Sequence, residues 1–460
     1  MPFQSWEFLL FFIPFAVIYV LLRRTVLRLP LLLVGSYAFY ACWDWRGIFF
    51  LAFITLSDYC FGRLIDRCRH LGKCFLVSSL MINIGVLCSL KYLNFITENL
   101  VWVLGKFGRT PEIPESEWIL PVGLSFFTFK SMSYICDLYF GKVDVERNLL
   151  RYAAYVAFFP QLIAGPIERS TSLLPQLKTP QPLLADDIAT GVSVFITGAF
   201  KKVVLADMLA AYVTPVYAAP GKFGGAALLY ASYAFAWQIY FDFSGLSDMA
   251  RGAARVLGFR TMLNFDNPYV AVDVRDFWRR WHISLSSWFR DYVYIPLGGS
   301  RRIKIRVWWN VLVTMLVSGL WHGAAWTFII WGGLNGLGSI ASSEFDRKPW
   351  YLKIPKFVKQ ILVFNFITLT WVFFRAESFK DALSVLKGIF TWRTGTTATV
   401  FPLVPVLMIG LVWIYQLVWA SRFRNVLEHR VVRIAAMAAA IIALLVLGAG
   451  ANTPFIYQQF

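Results

Sequence analysis

The chain has 460 residues, of which 58% are hydrophobic and 15% are charged, and its mean hydropathy is +0.59. Ordinary soluble proteins carry roughly 25% charged residues, so the composition predicts a multispan membrane protein. It excludes intrinsic disorder, collagen and disulfide-stapled secreted folds. With about 20 residues in each crossing and about ten in each connection, this length allows at most about fifteen crossings.

The chain is basic: it has 44 Lys and Arg and 26 Asp and Glu, which gives a formal net charge of +18. The basic residues lie in short loops between apolar runs, so membrane topology explains most of them and no nucleic-acid partner is expected. An anionic ligand could use the remainder. The six cysteines include no C-x-x-C pair, so neither a zinc site nor a disulfide framework is predicted.

Apolar runs give the first crossings. The excess of Lys and Arg at Arg23–Arg28 and Arg63–Lys73 places these loops in the cytoplasm and the N-terminus outside. The segment 98–118 is acidic and contains two prolines, as an external connection would be. The crossings predicted here are 8–22, 29–43, 47–61, 74–93 and 119–139. The first run has no A-x-A-like cleavage site, so we expect it to be retained.

The middle of the chain is less regular. Run 151–165 is short and is broken around Pro160, so it predicts a re-entrant piece. The stretch 251–306 carries eleven Lys or Arg and no clean apolar run, which suggests backbone buried in protein or lining a wet cavity. Further crossings are predicted at 188–215, 225–249, 307–321, 324–343, 356–374, 401–420 and 432–450. We expect an all-α polytopic fold with about eleven transmembrane helices plus re-entrant and interfacial helices, and we find no internal repeat.

Two of the four histidines lie beside tryptophan in the apolar half of the chain, His282 in RRWHISLSSWF and His322 in SGLWHGAAW. Imidazole can accept and return a proton near neutral pH, and ionisable groups within a membrane often have a function. His322 lies at the join of two predicted crossings, with Gly323 leaving room beside it. A histidine that only hydrogen-bonds two helices together remains an equal alternative. His70 and His429 lie in basic loops and are expected to be solvated.

Charged and aromatic residues cluster around His282. Asp276 and Arg280 are four residues apart and could pair along one helix face, which would explain part of the cluster. A basic, aromatic funnel would also bind a phosphorylated ligand that carries adenine, because guanidinium groups pair with phosphates and rings stack on the base. The candidate donor-binding residues are Arg279, Arg280, Trp281, Asp291 and Tyr294.

Upstream, Asp242, Ser244 and Asp248 lie near the end of a predicted crossing, and structural pairing between helices is slightly favoured for them over function. The chain contains no G-x-x-x-x-G-K-[ST], G-x-S-x-G or H-E-x-x-H motif. The H-x-x-x-x-D spacing of soluble acyltransferases also fails, because Ser287 and Thr327 stand five residues after the two histidines.

Four stretches together resemble the membrane-bound O-acyltransferase family, in its bacterial branch of alginate O-acetyltransferases and teichoic acid D-alanyl transferases. The resemblance covers nearly the whole chain, and WRRWHISLS with LWHG is its most specific part. The stretches are PQLIAGPIER (160–169), FDFSGLSDMARGAARVLGF (241–259), NFDNPYVAVDVRDFWRRWHISLSSWFRDYVYIPLGGSR (264–301) and SGLWHGAAWTFIIWGGLNG (318–336).

The resemblance implies a single membrane-embedded domain over 1–460, with helices ringed around a cytosolic funnel. It implies His322 as the catalytic residue and His282 as a second functional one. The donor would be acetyl-CoA, with no bound cofactor or metal. The acceptor would be an exported, alginate-like polysaccharide, reached through an extracytoplasmic SGNH-type acetyltransferase, and the location would be the bacterial inner membrane.

The final residues, 455–460, read F-I-Y-x-x-F and are expected outside the cell membrane. An aromatic anchor at the interface is the simpler explanation of this tail. By resemblance to a partner protein of the D-alanylation system, Tyr457 could instead relay the acyl group.

A secondary transporter of a small anionic or acyl-bearing solute is the alternative function, since carriers also have broken helices and polar groups at the midplane. The lack of an internal repeat counts against it.

Overall fold

A computed structural model describes residues 1–109, 111, 121–397 and 403–448. The described residues form helices and loops with no strand, so the predicted all-α fold is confirmed. Seven of the predicted crossings coincide with apolar helical stretches. Within the described residues, five are long and apolar enough to cross a membrane, namely Gly47–Arg67, Arg69–Lys106, Ala185–Ala218, Lys356–Arg375 and Arg430–Leu447, and two are shorter, Trp6–Leu22 and Val406–Trp419.

The described residues of the remaining predicted crossings lie mostly in helices, namely Arg28–Asp44, Leu124–Tyr139, Gly225–Val256, Lys304–His322 and Trp326–Phe345. Of the predicted external connection 98–118, residues 98–106 belong instead to the helix Leu93–Lys106. Its acidic residues at 112, 115 and 117, and the tail 455–460, fall outside the described residues.

The chain divides into two compact units. The first comprises Met1–Val192 and Ala250–Met262, and the second comprises Ser193–Met249 and Leu263–Phe460. Helices Ala185–Ala199 and Gly225–Val256 contribute residues to both. The other helices of the first unit are Trp6–Leu22, Arg28–Asp44, Gly47–Arg67, Arg69–Leu71, Gly72–Leu87, Cys88–Tyr92, Leu93–Lys106, Leu124–Tyr139, Leu149–Val156, Phe159–Leu162 and Ser170–Lys178.

The predicted re-entrant piece consists of two short helices in the first unit. Asn148 caps the helix Leu149–Val156 by accepting the Arg151 N–H at 3.0 Å. The helix Leu149–Val156 ends before Pro160. Pro160 is the second residue of the next helix, Phe159–Leu162, a position where its missing N–H costs no hydrogen bond. Both helices are much too short to cross a bilayer, as their sequence indicated.

The second unit contains the stretch with both candidate histidines. Its helices are Phe200–Ala206, Asp207–Ala218, Pro220–Lys222, Pro268–Val270, Val274–Arg280, Ile283–Phe289, Arg290–Tyr294, Lys304–His322, Trp326–Phe345, Pro349–Leu352, Lys356–Arg375, Phe379–Phe390, Leu403–Trp419, Arg424–Glu428 and Arg430–Leu447. The segment 263–303, which we call the irregular segment, contains only short helices. Asp273 starts one of them by accepting the N–H groups of Arg275 and Asp276 at 2.7 and 2.9 Å.

Candidate active site

His322 is the last residue of the helix Lys304–His322, which packs along the helix Trp326–Phe345. Glycines allow the two helices to approach closely. A Cβ added at Gly332 would lie 3.2 Å from the Gly319 Cα, and it would lie closer still to the Met315 carbonyl. The short connection therefore turns the chain back at once and sets His322 against the following helix.

Aromatic rings surround the His322 imidazole, which is 3% exposed. Its centroid lies 4.9 Å from that of Trp321, 5.0 Å from that of Trp331 and 5.5 Å from that of Phe374, each in an edge-to-face arrangement. Trp331 belongs to the helix Trp326–Phe345, and Phe374 belongs to the helix Lys356–Arg375. Three helices therefore fix the position of this ring.

His282 is held by hydrogen bonds in the irregular segment, and it is 0% exposed. Its Nδ1 lies 3.2 Å from Asn264 Oδ1. The same oxygen accepts the Ser284 N–H at 3.2 Å and the Ser284 hydroxyl at 2.9 Å. Asn264 Nδ2 donates to Ser247 Oγ at 3.0 Å, and the Asn264 carbonyl accepts the Ile283 N–H at 2.9 Å.

The backbone of His282 is left-handed, with φ of 43°. Among the described non-glycine residues only Asn267, His282 and Trp392 have positive φ. Such a conformation costs of order 1–3 kcal/mol, so its presence at a buried imidazole points to a functional constraint. His282 lies outside the candidate crossings, and burial lowers its pKa to about 3, so the ring is neutral at physiological pH.

Both imidazoles contact Trp321. The Trp321 ring centroid lies 6.3 Å from that of His282 and 4.9 Å from that of His322. The Phe243 ring packs edge-to-face with the His282 imidazole, with their centroids 4.6 Å apart. Two imidazoles that are 40 residues apart in the sequence are thus brought to one aromatic cluster.

The predicted donor-binding residues differ in their exposure to solvent. Arg279 is exposed, whereas Trp281 is 1% exposed and stacks on Phe277 at 5.5 Å. Arg280 donates to Asp276 at 2.9 Å, which confirms the i, i+4 pair expected from the sequence.

Asp291 and Tyr294, the other two predicted donor-binding residues, are half-buried. Asp291 pairs with Arg290 at 2.8 Å, and the Tyr294 hydroxyl lies 3.0 Å from that of Ser300. The structure thus leaves Arg279 as the most exposed cation of the predicted group.

Asp242 and Asp248 pair with lysines of a neighbouring helical stretch. Lys202 Nζ lies 2.9 Å from Asp242 and 2.9 Å from Asp207, and Lys201 Nζ lies 2.7 Å from Asp248. These contacts fit the structural pairing that the sequence favoured.

Similarity to known proteins assigns the chain to a family. The model of the membrane-bound O-acyltransferase family matches residues 76–379. The chain belongs to this family. Membership makes it a multi-pass membrane O-acyltransferase, which favours the enzyme over the transporter alternative.

Several relatives of this acyltransferase carry informative names. It is 39% identical over 403 residues to the probable alginate O-acetylase AlgI of Azotobacter vinelandii, covering 86% of this chain and 79% of the relative. It is 34% identical over 388 residues to the peptidoglycan O-acetyltransferase of Helicobacter pylori, covering 78% and 73%. It is 29% identical over 240 residues to the teichoic acid D-alanyltransferase of Streptococcus thermophilus, covering 49% and 58%.

Sequence reasoning missed the residues that hold the two imidazoles of this O-acyltransferase. Asn264 lies 18 residues before His282 with no motif spacing to mark it. Trp331 and Phe374 come from two other helices. Only contacts between distant parts of the chain identify these residues. The proposed relay Tyr457 falls outside the described residues.

Proposed function

We propose that this O-acyltransferase transfers acetyl groups from cytosolic acetyl-CoA towards an exported polysaccharide across the bacterial inner membrane. The placement of His282 and His322 against one tryptophan, in a chain of this family, is the observation that carries the proposal. The names of the relatives, which include alginate and peptidoglycan O-acetylases, support an acetyl group as cargo and a polysaccharide as the final acceptor.

In this reaction His322 acts as the general base and His282 assists it. His322 takes the proton of the attacking hydroxyl while the hydroxyl oxygen bonds to the acetyl carbon. The carbon–sulfur bond then breaks, and the thiolate of coenzyme A recovers the proton from the imidazolium. Both rings are buried, so the reactants must reach them through the protein, and exclusion of water would protect the thioester from hydrolysis.

The test is acetyl transfer by purified full-length protein in nanodiscs with radiolabelled acetyl-CoA. General-base catalysis contributes about 10² to 10⁴ in rate, so His322→Ala should lower transfer by at least about a hundredfold and leave the protein folded. The exposed histidines provide matched controls, and His70→Ala and His429→Ala should transfer normally. Near-normal transfer by His322→Ala would refute the assignment.

We further propose that the acetyl group passes to an extracytoplasmic SGNH-type acetyltransferase, with Tyr457 as an acyl relay. A phenol hydroxyl close to a general base can accept an acyl group and release it again. Tyr457→Phe keeps the aromatic ring and removes only the hydroxyl. If the relay exists, this variant should hydrolyse acetyl-CoA but leave the polymer unacetylated in cells; full polymer acetylation would remove the relay.

A further inference from the structure

Asn264 is positioned to decide which nitrogen of His282 carries the proton. Its side chain is 1% exposed. Its oxygen lies within hydrogen-bond distance of His282 Nδ1 and of the N–H and the hydroxyl of Ser284, three groups of the segment 282–284, which we call the 282–284 turn. The amide nitrogen faces the other way, towards Ser247 Oγ at 3.0 Å.

The orientation of the Asn264 amide follows from one partner that has a single role. A backbone N–H can only donate, and the Ser284 N–H lies 3.2 Å from the atom assigned as Asn264 Oδ1. A flipped amide would place an NH₂ group against this N–H. The oxygen therefore faces the 282–284 turn.

The proton on His282 follows from the orientation of that oxygen. Nδ1 lies 3.2 Å from Asn264 Oδ1, so an unprotonated Nδ1 would set two lone pairs against each other. The Ser284 hydroxyl lies near both of these atoms. It lies 2.9 Å from the Asn264 oxygen and 3.4 Å from Nδ1, so its single hydrogen goes to the oxygen.

We infer that Asn264 is a positioning residue that fixes His282 in the Nδ1–H tautomer, so that His282 acts on the reactants as a proton or hydrogen-bond acceptor through Nε2. This inference rests on the proposed function for its catalytic consequence. It excludes the alternative role of His282 as an Nε2–H donor to the thioester oxygen. The left-handed backbone of His282 and the bond from Ile283 N–H to the Asn264 carbonyl hold the same geometry.

The tautomer can be read directly by nitrogen-15 NMR of the full chain, labelled at the histidine imidazoles, in nanodiscs at neutral pH. Loss of signals in His282→Gln identifies those of His282 among the four histidines. We expect a protonated Nδ1 and an unprotonated Nε2. A protonated Nε2 beside an unprotonated Nδ1 overturns the inference, whatever the activity of the protein.

Substitution of the positioning residue tests its consequence. Asn264→Leu removes the acceptor, so we expect a mixture of tautomers at His282 and a fall in kcat of about 10- to 100-fold, with KM for acetyl-CoA changed less than about twofold. Ser287→Ala is the matched control, because its hydroxyl bonds the Ser284 carbonyl on the same helix at 2.9 Å and is not bonded to Asn264. It should keep the single tautomer and normal kcat.

The outcomes separate the two proposals. If Asn264→Leu keeps a single Nδ1–H tautomer with normal kcat, Asn264 is not the positioning residue. If Asn264→Leu does not fold, the spectrum of the unsubstituted protein still decides the tautomer. If the unsubstituted protein shows the Nδ1–H tautomer but transfers no acetyl group, the proposed function fails while the assignment of the tautomer stands.

Discussion

The two candidate histidines are held in contrasting ways within the same unit. His322 ends a 19-residue helix and is positioned by the rings of three helices. His282 lies in the irregular segment, where a left-handed backbone and side-chain hydrogen bonds hold it. Packing of large rings and glycines sets the first imidazole, and a polar network sets the second.

This contrast suggests a division of labour. The surrounding aromatic rings restrict where the His322 imidazole sits, and an imidazole can accept and return a proton near neutral pH, so the proposed general base is held in one place. A neutral imidazole held by an amide oxygen has a fixed donor side and a fixed acceptor side, so His282 is suited to orienting a reactant. The substitutions below should therefore affect the two regions differently.

The largest loss of stability and activity is expected where the helices Lys304–His322 and Trp326–Phe345 approach each other closely. Gly332→Ala places a methyl group against the Met315 carbonyl and 3.2 Å from Gly319 Cα, so the helices must separate and Trp331 must move with its backbone. Overpacking of this kind costs about 1–3 kcal/mol, and the displaced ring should lower acetyl transfer strongly. Thermal unfolding and transfer assays in detergent would measure both.

The neighbouring glycine provides the matched control for helix separation. At Gly333 an added methyl group would meet only the Leu316 side chain, at an ordinary 3.5 Å. Gly333→Ala should therefore unfold at the same temperature as the unsubstituted protein or slightly higher, because alanine favours helices. Equal losses in both variants would show that close helix contact does not position His322.

A pH-dependent effect of intermediate size is expected at His282. Its pKa in the folded protein is about 3, whereas an unfolded histidine has a pKa near 6.5. As the pH is lowered below 6.5, His282 takes up a proton in the unfolded chain but not in the folded protein. The free energy of unfolding therefore decreases as the pH decreases. At pH 5 this loss is about 2 kcal/mol. Thermal unfolding at pH 7.5 and pH 5 measures it.

The replacement that removes this titration is His282→Gln, which should lose less stability than the unsubstituted protein over the same pH interval. Unfolding of His282→Gln at pH 7.5 gives the cost of the substitution itself, separate from the titration. If His282→Gln and the unsubstituted protein lose stability equally, His282 does not stay neutral through this interval.

The sequence predicted much of this architecture because its strongest signals are local. Apolar runs located the helices, and Pro160 marked the break at the two short helices near it. Residue type and neighbouring tryptophans singled out both histidines. The contacts of Asn264 and Trp331 could not be predicted, since they depend on the packing of separate segments and no periodicity records it. Burial of Trp281, which the cluster composition suggested as a ligand contact, likewise depends on tertiary packing.

The smallest effect is expected at the exposed edge of the irregular segment. Arg279 is exposed, whereas Arg280 pairs with Asp276 at 2.9 Å, so Arg279 is better placed to meet the phosphates of the proposed donor, acetyl-CoA. An exposed charge pair contributes about 0.2–1 kcal/mol, so Arg279→Gln should raise the KM for acetyl-CoA by about 1.4- to fivefold at low salt, with kcat and stability nearly unchanged. Arg69→Gln removes the same charge from an exposed residue in the segment 63–73, which the sequence predicts to be cytoplasmic, and it should leave KM unchanged. A similar rise in both variants would mean that overall positive charge attracts the donor, and that Arg279 does not contact it.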